Sequence, residues 1–285
     1  MTPKGNLPPE AEHLTVEQQQ QAISIIGRDL DTVMGGRIAL QGLGDMGVHD
    51  SAHGVFFAEA PNGSALALKR FTKSVKAERE VANMTTASER GMQTFDLAGQ
   101  GLYGIDDVGT IMVTHRIPHF VTMNQLPWMS ANPGVRGYTR FVRSLGAMAN
   151  HLGEFHAANG AHNDAQVKNF GRNRLTNQFV AHDLEGSRFE DLGQPSAELM
   201  DSQKDDVQKL LESLVNRGYL GNAQADLFEH EMSTQILEPY LERHESEFLL
   251  DSWADLMQKV RGYRESKGGP GQTTIHSMDS DSPGV

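Results

Sequence analysis

The chain has no cysteine among its 285 residues, which excludes a disulfide framework and thiolate metal sites. It also has no apolar run long enough to cross a bilayer. Its opening residues, Met1 to Glu10, lack the apolar core of a signal peptide, so the expected location is cytoplasmic. Basic residues are in the minority: 25 Lys and Arg stand against 37 Asp and Glu, a formal net charge of -12. Nucleic acid and anionic membrane are therefore poor partners, because both need positive surface. A cationic substrate fits that charge, although acidic surface that only keeps a protein soluble is the commoner case. There is no internal repeat, no zincin-type histidine pair among the 12 histidines and no G-x-S-x-G elbow. Asn62-Gly-Ser matches a glycosylation acceptor, which means nothing without a secretory signal. Hydrophobic residues make up 38% of the chain, ordinary for a globular fold once glycine is added. The length suits one large domain or two lobes.

The most informative stretch is His162-Asn-Asp-Ala-Gln-Val-Lys-Asn169, followed by Asp183 in His-Asp-Leu-Glu-Gly. An aspartate, an asparagine five positions on and a second aspartate after a short apolar strand divide naturally into a proton-orienting group and two oxygen ligands for a divalent metal. Phosphoryl transfer from a nucleotide requires that division. Each residue taken alone has a plainer use, since Asp and Asn are turn formers. The spacing behind a long helix makes the set specific.

The rest of the chain supplies the setting. Residues 1–13 read as irregular. Thr15 and Gln18 form a capping-box pattern, followed by Ile23, Ile26, Leu30 and Val33 at helical spacing up to Gly35-Gly36. Short strands are expected from Ile38, across Gly54 to Pro61 and across Ser64 to Phe71, with Asn62-Gly63 as a hairpin signal. Thr72 to Met92 reads as a helix with Val75, Val81 and Met84 as apolar positions. Strands follow at Leu102–Ile105 and Thr110–Ile117, and then a loop with a short helix from Thr122 to Gly137. Phe141, Leu145, Met148, Leu152 and Phe155 mark a long helix over 138–158, and Asn177 to Ala181 is a strand feeding Asp183. Beyond Asp183 the chain reads as helical. There is one stripe at Val207, Leu210, Leu211 and Leu214 and one from Leu227 to Tyr240 kinked by Pro239. A third runs through Phe248, Leu249, Trp253, Leu256 and Val260. The last residues, 266–285, are Gly, Ser, Asp and Pro and are expected to be disordered.

This order of elements and its few marked positions resemble the protein-kinase-like superfamily, in particular its aminoglycoside-phosphotransferase and RIO-like branches, over roughly residues 37 to 260. The resemblance implies an α+β, bilobal fold. It divides the chain into an extension with an amphipathic helix (1–36), a nucleotide-binding lobe with a small antiparallel sheet (37–117), a helical lobe with the catalytic loop (118–265) and a disordered tail (266–285). It further implies ATP and Mg²⁺ as cofactors and a hydroxyl-bearing acceptor, with the oligomeric state left open. Asp164 matches the residue that orients the acceptor hydroxyl, Asn169 and Asp183 match the metal ligands, and His162 matches the residue that braces the loop. Lys69 matches the strand lysine that touches the phosphates, with Glu80 as its partner on the next helix and Glu78 as the fallback. Thr114 falls at the back of the adenine pocket, and the backbone of His115 and Ile117 falls where adenine is hydrogen-bonded. The phosphate turn falls between Gly47 and Gly54 and includes Ser51, unless Gly42-Leu-Gly-Asp-Met-Gly serves in a longer loop.

The departures are as informative. Asn163 stands where Arg or Gly is usual, Gln166 where protein kinases carry Lys, and Glu185 where the Asp-Phe-Gly triplet has its Gly. Lys168 either reaches the transferred phosphate or faces solvent. No Ala-Pro-Glu segment follows Asp183, so a regulated activation loop of the protein-kinase type is not expected. Acidic residues at 229, 231, 238, 242 and 245 either attract a cationic acceptor or form a solvated face. The leading reading is transfer of the γ-phosphate of ATP to a hydroxyl of a small molecule or protein. The alternatives are a nucleotide-binding pseudokinase and a nucleotidyl transferase on the same fold.

Overall fold

The computed structural model describes residues 15–34, 39–40, 55–59, 65–106, 108–117, 119–123, 134–173, 175–176, 178–216, 230 and 232–267. The expectations for residues 1–13, the phosphate turn with Gly47 and Ser51, the Asn62-Gly63 turn, Leu227, Glu229, Glu231 and the tail after 267 lie outside them. No helix among the described residues is long and apolar enough to cross a membrane.

The first helix, α1 (Val16–Met34), starts on the capping box read from the sequence. The Thr15 N–H donates to Gln18 Oε1 at 3.0 Å, and the Gln18 N–H donates to Thr15 Oγ1 at 3.2 Å. Two of the donors orphaned at the helix start are satisfied this way. Its apolar stripe, Ala22, Ile23 and Ile26, is buried on a five-stranded sheet. The strands are β1 (Ala39–Leu40), β2 (Val55–Glu59), β3 (Ala65–Phe71), β4 (Leu97–Ile105) and β5 (Gly109–His115). They run antiparallel in the order β1-β2-β3-β5-β4. Alternation along β3 sends Leu66 and Leu68 under α1 and puts Lys69 and Phe71 on the other face. That second face is covered by α2 (Ser74–Glu89). On α2, Met84 is buried as its spacing predicts, whereas Val75 is 55% exposed. Val75 falls in the first turn, on the side away from the buried face of Ala77, Glu80, Met84 and Ala87.

A second sheet joins β6 (Phe120–Thr122), β8 (Phe170–Asn173) and β9 (Phe179–Ala181) in that order, and β7 (Gly160–Ala161) pairs with β10 (Arg188–Phe189). Of these strands only β9 was legible. Phe-Gly-Arg-Asn and its short partners are too brief to show alternation, and tertiary pairing alone makes them strands. The long helix α3 (Gly134–Ala157) begins four residues before the sequence reading places it. Its Leu145, Met148, Leu152 and Phe155 are the centre of the main core. The next helix, α4 (Ala197–Asn216), is separated from Asp183 by a 3₁₀ turn and β10, a longer interval than the sequence suggests.

The segment read as one helix kinked at Pro239 is a π-helical stretch, Ser233–Leu237, running into α5 (Glu238–Leu241). Pro239 has no N–H for a regular helical ladder, and the wider π turn accommodates it. This segment lies close against α3 at Gly153. A Cβ there would sit 2.6 Å from the Tyr240 carbonyl oxygen and 3.1 Å from Arg243 Cβ. The last helix, α6 (Glu247–Ser266), is capped by Ser246 Oγ, which accepts from the Leu249 N–H at 3.2 Å. Because the atom met at Gly153 is backbone, Gly153→Ala forces α3 and α5 apart. Urea unfolding should show a loss of about 1–3 kcal/mol, and an unchanged midpoint would contradict the close crossing.

Candidate active site at the lobe junction

Lys69 leaves β3 on the face opposite α1 and meets two carboxylates from different elements. Its Nζ donates to Glu80 Oε2 of α2 at 2.6 Å and to Asp183 Oδ1 at 2.7 Å. Glu80 is buried and Glu78 is exposed, so helix phase alone selects between the two glutamates. Burial by itself would push the Lys69 ammonium down, but the facing Glu80 and Asp183 carboxylates outweigh it and hold the group above the ordinary lysine range. Burial raises the Glu80 carboxyl, with Lys69 opposing.

Asp183 follows β9 and has a left-handed backbone, φ 64° and ψ 50°. Asn163 has φ 62°. Asn and Asp tolerate that region better than other non-glycine residues, which explains an asparagine where Arg or Gly is usual. Asn163 Nδ2 donates to the Gly186 carbonyl at 2.9 Å, tying the two strained turns together.

The loop between β7 and the 3₁₀ turn Val167–Asn169 carries Asp164. Both oxygens of its carboxylate accept amide hydrogens, Oδ1 from Gln166 Nε2 at 2.6 Å and Oδ2 from Asn169 Nδ2 at 2.8 Å. Asn169 Nδ2 also reaches the Asp164 carbonyl at 2.8 Å. The sequence set of Asp164, Asn169 and Asp183 is thus brought to one junction, with Lys69 bound to its far member. Lys168 is half-buried on the 3₁₀ turn and makes no ion pair among the described residues. Thr114 is buried in β5. The His115 N–H donates to the Asp96 carbonyl at 2.7 Å and the Arg116 N–H to the Ala65 carbonyl at 2.8 Å. Both donors therefore continue the ladders on the two sides of β5, an interior strand, and Ile117 is the residue beyond them.

Several residues that build this site escaped the sequence reading. Asp206 of α4 is wholly buried, and its Oδ2 accepts from the His162 N–H at 2.5 Å and lies 3.3 Å from His156 Nε2. His156 Nδ1 is 2.7 Å from the Tyr240 hydroxyl. Burial pushes that phenol well above its usual range. His162 is buried: its Nδ1 accepts from the Asp164 N–H at 3.3 Å and its Nε2 donates to the His182 carbonyl at 3.1 Å. One imidazole therefore links the Asp164 loop to the residue before Asp183. The available signal was a charge on an apolar stripe, since Leu199, Gln203, Asp206, Val207 and Leu210 share one helical face.

Nearby, the Phe120 ring lies 5.1 Å from Phe95 and 5.9 Å from His182, both edge-on. It covers the backbone of β8 at Gly171, where a Cβ would fall 2.1 Å from Phe120 Cζ. Burial lowers the His182 imidazole to about 4, and lowers His162 in the same direction. Both rings are neutral in the folded chain and gain protons more readily when unfolded. The stability that His182 confers is full above about pH 6.5 and is lost as pH falls toward about 4, and His162 contributes in the same direction. Urea unfolding across that range should show the decline. His182→Gln should flatten it, and an equal slope in that variant would contradict the assignment.

No protein-family model matches the chain, and no curated protein matches its sequence. Solved structures do resemble it. A structure of WaaP in complex with acyl carrier protein superposes with a TM-score of 0.54 at 19% identity, covering 83% of this chain and 91% of that one. A structure of the amicoumacin kinase hAmiN in complex with AMP-PNP, Ca²⁺ and Ami gives a TM-score of 0.53 at 13% identity, covering 80% and 79%. With the small antiparallel sheet, the helical region and the order of elements between them, these likenesses give the chain the α+β, bilobal protein-kinase-like fold.

Proposed function

We propose that this protein is a metal-dependent phosphotransferase that moves the γ-phosphate of ATP to a hydroxyl group of a small molecule or a protein. The observation that carries the reading is the junction itself. A largely buried ammonium, Lys69, is held by Glu80 and Asp183, and Asp164, on the loop joined through Asn169 to the residue before Asp183, is fixed through both oxygens. Asn169 and Asp183 would hold Mg²⁺. Their donor set suits it: a carboxylate and an amide oxygen are hard ligands, and the Asn169 amino group is engaged by Asp164, which leaves its carbonyl oxygen as the acceptor end. Among the described residues no three His, Asp or Glu side chains cluster as a self-sufficient cage. The remaining ligands would be phosphate oxygens and water, the usual arrangement for Mg²⁺ at nucleotides. The ion, when bound, would neutralise charge on the terminal phosphates.

The protein groups do the rest. Asp164 accepts the proton of the acceptor hydroxyl, and the hydroxyl oxygen bonds to the γ-phosphorus as the bond to the bridging oxygen of ADP breaks. Asn169 and Gln166 set the direction of the Asp164 carboxylate. Lys69 turns from its carboxylate partners toward the phosphates, with Glu80 limiting its swing. Gly47 and Ser51 are assigned to the phosphate turn, Lys168 to the transferred group, and Thr114, His115 and Ile117 to the adenine edge.

Asp164→Ala should lower Mg²⁺-dependent ATP turnover, measured first with water as acceptor, by about 10²–10⁴-fold, while binding of a fluorescent ATP analogue stays near the wild-type level. Wild-type-like turnover in that variant would remove Asp164 from the chemistry. Nucleotide binding with no turnover in the wild type would favour the regulator reading instead.

A further inference from the structure

The glutamate that replaces the glycine of the Asp-Phe-Gly triplet has a partner. Glu185 Oε1 accepts from Lys76 Nζ of α2 at 2.6 Å. Seven residues along α2, Asn83 Nδ2 donates to the carbonyls of Leu184 at 2.7 Å and Ser187 at 2.8 Å. Seven further, at the helix C-terminus, Arg90 donates to the carbonyls of Ala158 and of Glu190, the second at 2.7 Å. Lys76, Glu80, Asn83, Ala87 and Arg90 recur at intervals of four and three, so they form one stripe along the helix. Lys76 and Asn83 grip residues 184 to 187 directly and Glu80 reaches Asp183 through Lys69, while Arg90 fastens the helix end to the chain on either side, at Ala158 and Glu190.

We propose that this stripe, with Glu185 as its counterpart, is a positioning device that holds the Asp183 turn in its metal-binding conformation. The proposal rests on the reading that Asp183 holds Mg²⁺. A left-handed aspartate is unfavourable by itself and persists only where its surroundings over-determine it. Here the surroundings are Lys76, Asn83 and, through Lys69, Glu80 of one helix, with Asn163 holding the Gly186 carbonyl from the other side. Glycine after the apolar residue would leave the turn free to pivot, whereas Glu185 anchors it from its own side chain. Lys76, Asn83 and Glu185 touch no reacting atom; they act through Asp183. On this view α2 is held against the turn by the chain's own side chains.

The test measures Mg²⁺-dependent binding of a fluorescent ATP analogue to the full chain. Lys76 is 42% exposed at its side chain, so Lys76→Met leaves the core intact, and thermal unfolding of each variant confirms folding. Simple through-space charge predicts that removing this cation makes Mg²⁺ bind more tightly. Positioning predicts the opposite: Lys76→Met and Asn83→Ala each raise the half-saturating Mg²⁺ concentration about tenfold, and the exchanged pair Lys76→Glu with Glu185→Lys restores it to within about twofold. An unchanged or lowered Mg²⁺ requirement in Lys76→Met overturns the proposal. Absence of Mg²⁺-dependent nucleotide binding in the wild type overturns the phosphotransferase reading, and the positioning role with it.

Discussion

The ammonium of Lys69 is the constraint on which the two halves of this molecule meet. A charge that deep is costly unless opposite charges reach it with good geometry. Glu80 and Asp183 do so from a helix and from the turn after β9, at 2.6 and 2.7 Å. Strand β3, helix α2 and the Asp183 turn therefore cannot be placed independently. Any shift of α2 along the sheet strips a carboxylate from the lysine, and any collapse of the turn strips the other. The same contact keeps a cationic side chain beside the Asp183 carboxylate.

Beneath that contact lies a polar chain inside the helical lobe. The Tyr240 hydroxyl meets His156, His156 meets Asp206, and Asp206 takes the His162 N–H. His162 then binds the Asp164 N–H and the His182 carbonyl. In a medium of low polarity such a chain is rigid when satisfied, because each unmade bond would leave a desolvated group. It ties the loop that bears Asp164, which has almost no repeating structure, to α4 and to the residue before Asp183. The apolar core around Leu145, Leu152, Phe155, Leu210 and Leu214 surrounds this chain and keeps water from competing for it.

The outer face of the small sheet shows a plainer economy. Without α1, Leu66, Leu68, Ile111 and Val113 would face water. The helix covers them, and Asp29 fastens it by accepting from the Tyr103 hydroxyl at 2.6 Å and from Gln100 at 3.0 Å. The amphipathic stripe in the first helix thus has an occupant within the chain, as the sequence suggests.

Local chemistry decided much of this protein. The Thr15–Gln18 cap, the alternation that separates Lys69 from Leu68, the phase that buries Glu80 and exposes Glu78, and the long stripe of α3 all follow from neighbours a few residues apart, so they can be read from the letters. The order of Lys69, Glu80, Asp164, Asn169 and Asp183 was legible as a resemblance in residue type and spacing, although Glu80 lies inside α2 and Asp164 in a loop that has no period. What depended on partners distant in sequence could not be read. The strands β6, β7, β8 and β10 are too short to carry a period, and Phe120 over Gly171 is a contact across fifty residues of chain. Asp206 and the stripe of Lys76, Asn83 and Arg90 showed helical spacing, but a spacing names a face and not what the face will meet. Only the tertiary structure supplied the Asp183 turn as the occupant of that face, because a strained, charged turn persists only where fixed donors from other elements converge on it.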